Sequence, residues 1–530
     1  MKQFSILSPV LGKREDAPNI FIDKAMTPDI VNCQYWNGKV RTSYGRDPEL
    51  ADASGVSVAT PDAQPILTYL KHQSDDGAKY LLSFTALHAY RWDSVGHAWD
   101  VMFTCATTAT TYNWSAVSFN GKVVATNNVD LPQVWEGSTG TGFADLNTVL
   151  ASSGASSGVT VTKAKVCTVF ESHVVFGGYV LSDSTNYPNG IIISDLDDEA
   201  LWDQTVAGDQ SAYYVDGAGI ISGLGVKGDL MHVFKTRSSR AFWYTGTATV
   251  LNSRLHNPSV GTFSQDSIGN DGNGNLYFLG SDMSFREVDI GILSQAIKES
   301  VRTVNTEADA IVNVKFTYIP EYDELWWACP TGTSTTNIKI YCFSKMGTWY
   351  ERDTPVSAFG KYEYSLNYTW ENQPAGTWDD WAGVWDDSTE SAGWMIDICG
   401  DDAGYTYKSH GSIGDTRWSN SAMKSRLVPY GIVLSTDLGN KGSLRYFKRL
   451  LYIYGYFTSI GEGPIWVYIK QDNEASWQLA GSITTNGTEA IHIGELAVDY
   501  RARHFLIRFA GITPFEFLGC ELEYLDSGLR

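Results

Sequence analysis

Between Val166 and Ile290 the chain repeats one pattern. Short runs of β-branched or aromatic residues are closed by Gly, Asn, Asp or Ser. Examples are Val174-Val175-Phe176-Gly177-Gly178, Ile191-Ile192-Ile193-Ser194-Asp195, Leu230-Met231-His232-Val233-Phe234, Ala241-Phe242-Trp243-Tyr244 and Leu276-Tyr277-Phe278-Leu279. Such runs spell brief strands joined by tight turns. So many short strands leave edges that have to be covered, either by stacking sheets or by closing a ring. The expected fold is therefore all-β, with a ring of blades, a β-propeller, as its organising unit.

Composition agrees with that reading. The chain has 530 residues, enough for one to three domains, with 50 Gly, 13% aromatic and 19% charged residues. This mix suits aromatic-packed sheets with many turns and excludes a helical bundle or a disordered chain. The cysteines, Cys33, Cys105, Cys167, Cys329, Cys342, Cys399 and Cys520, are scattered singly. They read as buried reduced thiols, because a zinc site or a disulfide framework needs closer spacing. No run of 18 apolar residues occurs, and Met1-Lys2-Gln3-Phe4-Ser5 lacks the apolar centre of a signal peptide. No membrane span is expected. Net charge is −21, with 39 Lys+Arg. A surface of that sign does not grip nucleic acid, since phosphate binding needs clustered cations.

Along the chain, residues 1–55 have weak periodicity and several prolines. They read as an arm that leads into the ring or docks on a neighbour, or as a poorly ordered terminus. Blades are expected over 56–435. Within them, Asn120-Gly121 separates two strand runs as a hairpin turn. Tyr90 to Gly96 before Trp99 is echoed by Tyr341 to Gly347 before Trp349. At ~40–50 residues per blade, with long loops, six to eight blades are predicted. Leu293, Ile297, Val301 and Val304 share one helical face, so a helix is predicted over 292–305. After 437–440 the strands lengthen and alternate strictly, as in Phe505-Leu506-Ile507-Arg508-Phe509. A separate antiparallel β-sandwich is predicted over 441–530. It holds 9 Lys+Arg against 10 Asp+Glu, so the negative charge lies in the preceding residues.

Motifs of enzymes fail on context. Gly223-Leu224-Gly225-Val226-Lys227-Gly228 matches G-x-G-x-x-G, but a strand follows it where a dinucleotide loop needs a helix. It reads as a turn between strands. Gly154-Ala155-Ser156-Ser157-Gly158 sits in a Ser/Ala/Gly-rich loop, not in a strand-to-helix elbow. Asp195, Asp197 and Glu199 alternate like a calcium loop, but Ala200 and Val206 stand where Gly and Glu are needed. No catalytic residue, metal site or cofactor is expected.

Acids remain. Eight Asp or Glu lie between Asp183 and Asp216, and nine between Glu371 and Asp402, with no Lys or Arg in either window. The candidate channel-facing carboxylates are Asp195, Asp197, Asp198, Glu199, Asp379, Asp380, Asp386 and Asp387. Outer loops kept acidic for solubility are the plainer reading. Trp378, Trp381 and Trp385 lie among the second group, and a sugar would stack on them. They carry the alternative of a carbohydrate-binding propeller or adhesin for a host receptor. A glycoside hydrolase using the same acids is a third class, although Asp boxes of the S-x-D-x-G-x-x-W type are absent.

Several stretches resemble a known family. Phe176-Gly177-Gly178, Ile193-Ser194-Asp195 and Ala200-Leu201-Trp202 are similar to the propeller proteins of short-tailed bacteriophage tails. So are Leu279-Gly280-Ser281-Asp282 with Val288-Asp289-Ile290-Gly291, and Tyr322 to Trp327 answered by Tyr341 to Trp349. These are the packaged-DNA stabilisation, tail-hub and nozzle proteins, and the likeness covers roughly 115–350. The resemblance implies a non-enzymatic virion protein of the tail, made in the bacterial host cytoplasm and assembled as a homo-oligomer, commonly a hexamer. It implies a place below the portal or its adaptor, with tail fibres or spikes as neighbours. Double-stranded DNA would pass through during ejection without specific binding.

Overall fold

The computed structural model describes residues 2–529, apart from 19–21, 24, 37, 44–45, 47–48, 53–55, 107–113, 139, 151–158, 248, 364–394, 410–429, 437–445, 460–461, 473, 487–490 and 512–514. The chain divides into two compact units, one of residues 49–265 with 357–409, the other of 1–48, 266–356 and 410–530. The partition into an arm of 1–55, a propeller of 56–435 and a sandwich of 441–530 does not coincide with them.

The fold is all-β with β-propeller architecture. Seven blade sheets follow one another among the described residues. Those at 68–104, 115–145, 161–214, 221–257, 269–292 and 315–352 are four-stranded antiparallel meanders, numbered blades 1 to 6 here, and 359–408 (blade 7) has three strands. In the first unit the first strands of five blades lie side by side. Their order is Phe359–Glu363, Thr68–Gln73, Ser115–Phe119, Val161–Phe170 and Ile221–Lys227.

This stacking explains the apolar runs. Each sheet is covered on both faces by its neighbours, so its middle strands are continuously hydrophobic rather than alternating. Val175, Ile191 and Ile193 of blade 3 pack with Leu224, Met231 and Phe242 of blade 4. Phe176 and Ile192, on the other face, pack with Phe119 and Val124 of blade 2. Trp202 stacks on Phe176 with ring centroids 4.8 Å apart and is fully buried. Burying a side chain of this size stabilises by about 2–3 kcal/mol.

Turn chemistry is equally local. Phe119 pairs with Lys122, leaving Asn120-Gly121 as a two-residue loop with φ of 45° and 71°. Both positive values are what a type I′ hairpin demands. A second turn recurs as Asp-x-x-Gly-x-x-Tyr. Asp271 accepts from the amides of Asn273 and Asn275 and from the Tyr277 hydroxyl; Asp401 accepts in the same way from Ala403, Tyr405 and Tyr407.

In the second unit a sandwich does form, but with borrowed strands. One sheet runs Cys33–Trp36, Lys39–Thr42, Phe515–Leu529, Tyr446–Ser459, His492–Ala502, with Lys2–Leu7 also paired to Phe515–Leu529. The other runs Tyr430–Thr436, Phe505–Gly511, Glu462–Gln471, Gln478–Asn486 and continues through Asp29–Val31 into blade 6. The rings of Phe457, Phe509, Phe515 and Phe517 meet between the sheets. Residues 2–42 thus supply strands to the sandwich of their own chain, and a sandwich sheet is continuous with a blade. Pairing over such sequence distance carries no local signature, which is why the arm and the boundary read differently from sequence.

The helix predicted over 292–305 is shorter: a 3₁₀ turn at Ser294–Ile297 and one α-turn at Lys298–Val301. Ile297, Val301 and Val304 are buried as that face requires. Trp349 Nε1 donates to the Leu293 carbonyl and the Tyr341 hydroxyl to that of Ser300, and these bonds hold the segment in two short turns. Gly223 and Gly225 lie inside a strand, and only Gly228 sits at a turn. The G-x-S-x-G match at 154–158 lies outside the described residues. All seven cysteines are free. Among the described residues no helix is long and apolar enough to cross a membrane.

Candidate functional site: an acidic loop face on the blades

In a four-stranded meander the loops after the first and third strands share one end of the sheet. In blades 1 to 4 these loops are 74–78, 94–97, 120–121, 136–143, 171–172, 194–210, 228–229 and 245–250. They contain Asp75, Asp76, Glu136, Glu171, Asp195, Asp197, Asp198, Glu199, Asp203, Asp209 and Asp229, and no Lys or Arg. Asp75, Asp76, Glu136, Glu171, Asp197, Asp198 and Asp229 are exposed.

Ties between neighbouring blades hold this end together. Lys71 and Lys79 of blade 1 both pair with Glu363 of blade 7, and their hydrogen bonds hold that carboxyl below its ordinary range. His72 places one ring nitrogen 2.8 Å from Ser118 Oγ and the other 3.0 Å from the Gly121 carbonyl of blade 2. Burial lowers its pKa. Lys122 of blade 2 lies 2.7 Å from Glu199 Oε1 of blade 3 and 3.1 Å from Glu136; the Glu199 hydrogen bond leads in raising its pKa. Asn120 donates to the Asp197 carbonyl at 3.1 Å. The Tyr244 hydroxyl of blade 4 donates to Asp209 at 2.5 Å. Lys71, Lys79 and Lys122, the lysines of these ties, are strand residues each engaged with a carboxylate.

The sequence-derived candidates divide accordingly. Asp197 and Asp198 are exposed on the loop after the third strand of blade 3. Asp195 is half-buried and accepts the Asp209 amide at 2.7 Å, closing the loop. Glu199 corrects the expectation of an uncompensated acid. It is buried and ion-paired to a lysine 77 residues away, and its carbonyl takes the Trp202 indole N–H. The loop lies between the third strand and the last, whereas the first strand adjoins the neighbouring blades. These acids therefore mark an end of the blade, not the wall formed by first strands. The 183–216 window is also not one surface. Asp183 lies in the turn after the second strand, where the Thr160 amide donates to Ser182 Oγ, at the opposite end from Asp197. Asp379, Asp380, Asp386, Asp387, Trp378, Trp381 and Trp385 lie outside the described residues, in the stretch joining Phe359–Glu363 to Met395–Gly400. Sequence reasoning missed Asp75, Asp76, Glu136, Glu171 and Asp229. Their common signal is position, in a turn after a first or third strand, and it becomes visible only once strands are assigned to blades.

Among the described residues no group of three or more His, Cys, Asp or Glu converges as a metal site. The face is a fixed array of negative charge on a propeller scaffold. No family model and no curated sequence matches the chain. Similar solved structures include YCF48 from Cyanidioschyzon merolae, at 9% identity over 67% of this chain and 98% of that one, with a TM-score of 0.35. The Pan2 WD40 domain of Neurospora crassa follows at 9% identity, 70% and 96% coverage and a TM-score of 0.33. An exo-β-1,3-galactanase from Phanerochaete chrysosporium reaches 10% identity, 91% and 100% coverage and a TM-score of 0.25. At such values none of their activities passes to this chain.

Proposed function

We propose that this protein is a structural, non-enzymatic component of a phage tail, a nozzle or hub that closes the DNA conduit, stabilises packaged DNA and lets it pass at ejection. The observation that carries the reading is the run of acidic loops, free of Lys and Arg, along one end of blades 1 to 4. In a ring of several copies, six by the family resemblance, such an end turned to the bore repels the DNA backbone over about a Debye length, ~8 Å at physiological salt. A cationic bore would bind each phosphate and slow exit. The partners implied are a portal or adaptor, tail fibres or spikes, and DNA in transit.

Electron microscopy of the purified protein tests assembly, and charge reversal tests the face. The expected result is rings of the native chain that do not retain a short duplex at low salt. Rings carrying Asp75→Lys, Asp76→Lys, Asp197→Lys and Asp198→Lys should retain it, and release it as salt rises. A chain that stays monomeric at high concentration, or that hydrolyses members of a glycan panel, sinks the proposal. Retention unchanged by reversal removes the role of the face.

A further inference from the structure

The first strands of the blades in the 49–265 and 357–409 unit differ in charge from the loops. They carry Lys71, Lys163, Lys165, Lys227 and Lys361 against Glu363 as their one acid. Lys71 and Lys361 have carboxylate partners. Lys163 and Lys165 have none among the described residues. They stand two apart on Val161–Phe170, where pairing to the next strand runs from Lys163↔Val180 to Val166↔Gly177 and passes over Lys165. Both side chains line one cavity of about 330 Å3, together with Gly178, whose φ is 65°.

Among the described residues the cavity has no Asp or Glu in its lining. Lys165 Nζ donates to the Ile221 carbonyl at 3.1 Å, a neutral acceptor. Its pKa is held below the ordinary lysine range by burial alone. The charge has lost much of its water and gained no counter-charge, the situation an incoming anion relieves. Asn128 and Asn186 also line the cavity, and neither carboxamide has a hydrogen-bond partner among the described residues. In a chain of net charge −21, Lys165 is a desolvated cation without a counter-charge, and the exposed Lys163 stands beside it on the same cavity.

We propose that this cavity is a phosphate-binding site, with Lys163 and Lys165 supplying charge and Asn128 and Asn186 supplying orientation. Two ammonium groups match a dianion, whereas a carboxylate ligand would leave one of them unanswered. Several neutral donors suit the four oxygens of a phosphate group. The ligand is free phosphate or a small phosphate monoester, each able to carry two charges near neutral pH, or two adjacent singly charged phosphates of a nucleic-acid backbone. The site is at the opposite end of the blades from the acidic loops, and its argument does not depend on the tail reading.

Calorimetry and thermal unfolding of the full chain in inorganic phosphate, against sodium chloride of equal ionic strength, test it. The native protein should bind phosphate saturably and unfold at higher temperature in its presence. Lys163→Gln and Lys165→Met should each weaken binding by about tenfold or more, while Lys165→Arg retains most of it. Lys163 is exposed, so Lys163→Gln should leave near-ultraviolet circular dichroism unchanged and keeps the test valid if Lys165→Met misfolds. Displacement of phosphate by a short duplex assigns the site to a nucleic-acid backbone; failure to displace assigns it to free phosphate or a small ester. Phosphate binding equal in the native chain and Lys163→Gln, or a stabilisation matched by chloride, overturns the proposal.

Discussion

The unit that contains the sandwich draws charges inward, whereas the five-blade unit leaves many of its acids on loops. In the former, Lys13 is almost fully buried and lies 2.6 Å from Glu351 and 3.0 Å from Glu15. Lys339 reaches the other Glu351 oxygen at 2.7 Å. Burial works against the Lys13 charge, but Glu351, Asp29 and Glu15 outweigh it and raise its pKa. Burial likewise opposes the Glu351 carboxylate, and Lys13 and Lys339 prevail and lower its pKa. The pair joins residues 338 apart, so it bolts the N-terminal strands to blade 6. On the blade loops, the carboxylates of Asp75, Asp76, Asp197 and Asp198 cross-link nothing distant among the described residues. Buried charge here serves to specify long-range pairing, while exposed charge is left free for another use.

The largest expected effect follows from breaking the buried network. Lys13→Met leaves Glu351 with one ammonium in place of two and should cost about 3 kcal/mol. Hydrogen exchange in Thr348–Arg352 should then quicken by roughly a hundredfold. Unchanged protection would mean that the arm is held by strand pairing alone.

Acid should come next. Burial raises the Asp271 carboxyl, but hydrogen bonds from Lys345, at 2.6 Å, and Asn275 outweigh it and hold the pKa at about 2. A depressed carboxylate stabilises fully above its unfolded value, ~3.9, and that stability is lost as pH falls towards 2. The contribution is about 2 kcal/mol at neutral pH. Asp271→Asn should remove it and flatten the pH dependence of unfolding between pH 4 and 2. An equally steep profile in the variant would assign the acid sensitivity elsewhere.

Lys122→Ala sharpens the contrast within the blades. Glu199 is buried, and losing its cation should cost about 1–2 kcal/mol in denaturant unfolding. Asp197→Asn tests the smallest effect. The residue is exposed with φ of 56°, a conformation Asn tolerates, so stability should stay within about 0.5 kcal/mol. A large loss there would contradict the view that the face is not structural.

Local features were legible in the residues. The all-β class, six to eight blades and the Asn120-Gly121 turn follow from apolar runs and turn chemistry that act within a few positions. The sandwich was legible too, from strands that lengthen and alternate after residue 440. The Asp-x-x-Gly-x-x-Tyr turns at Asp271 and Asp401 were present in the sequence but easy to overlook, because only two copies carry both Asp and Tyr.

The acidic site was only partly legible. Asp197 and Asp198 stood out as a run, but the charge of Glu199 is answered by Lys122 and the stretch from Asp183 to Asp216 spans both ends of blade 3. Counting charges in a window assumes that sequence neighbours share a surface. In a meander of short strands the chain reverses every few residues, so neighbours in sequence alternate between ends.

By itself, then, the sequence determined the kind of strand, the kind of turn and the excess of acid, because each depends on residues in local contact. Tertiary structure alone decided that residues 2–42 complete the sandwich, that Lys13 finds Glu351, that acids from successive blades meet at one end and that Lys163 and Lys165 share a cavity without a carboxylate. Each of these rests on pairing or packing between segments far apart in the chain. Loop-closure entropy sets the cost of such contacts and burial repays it, and neither leaves a mark on the local pattern.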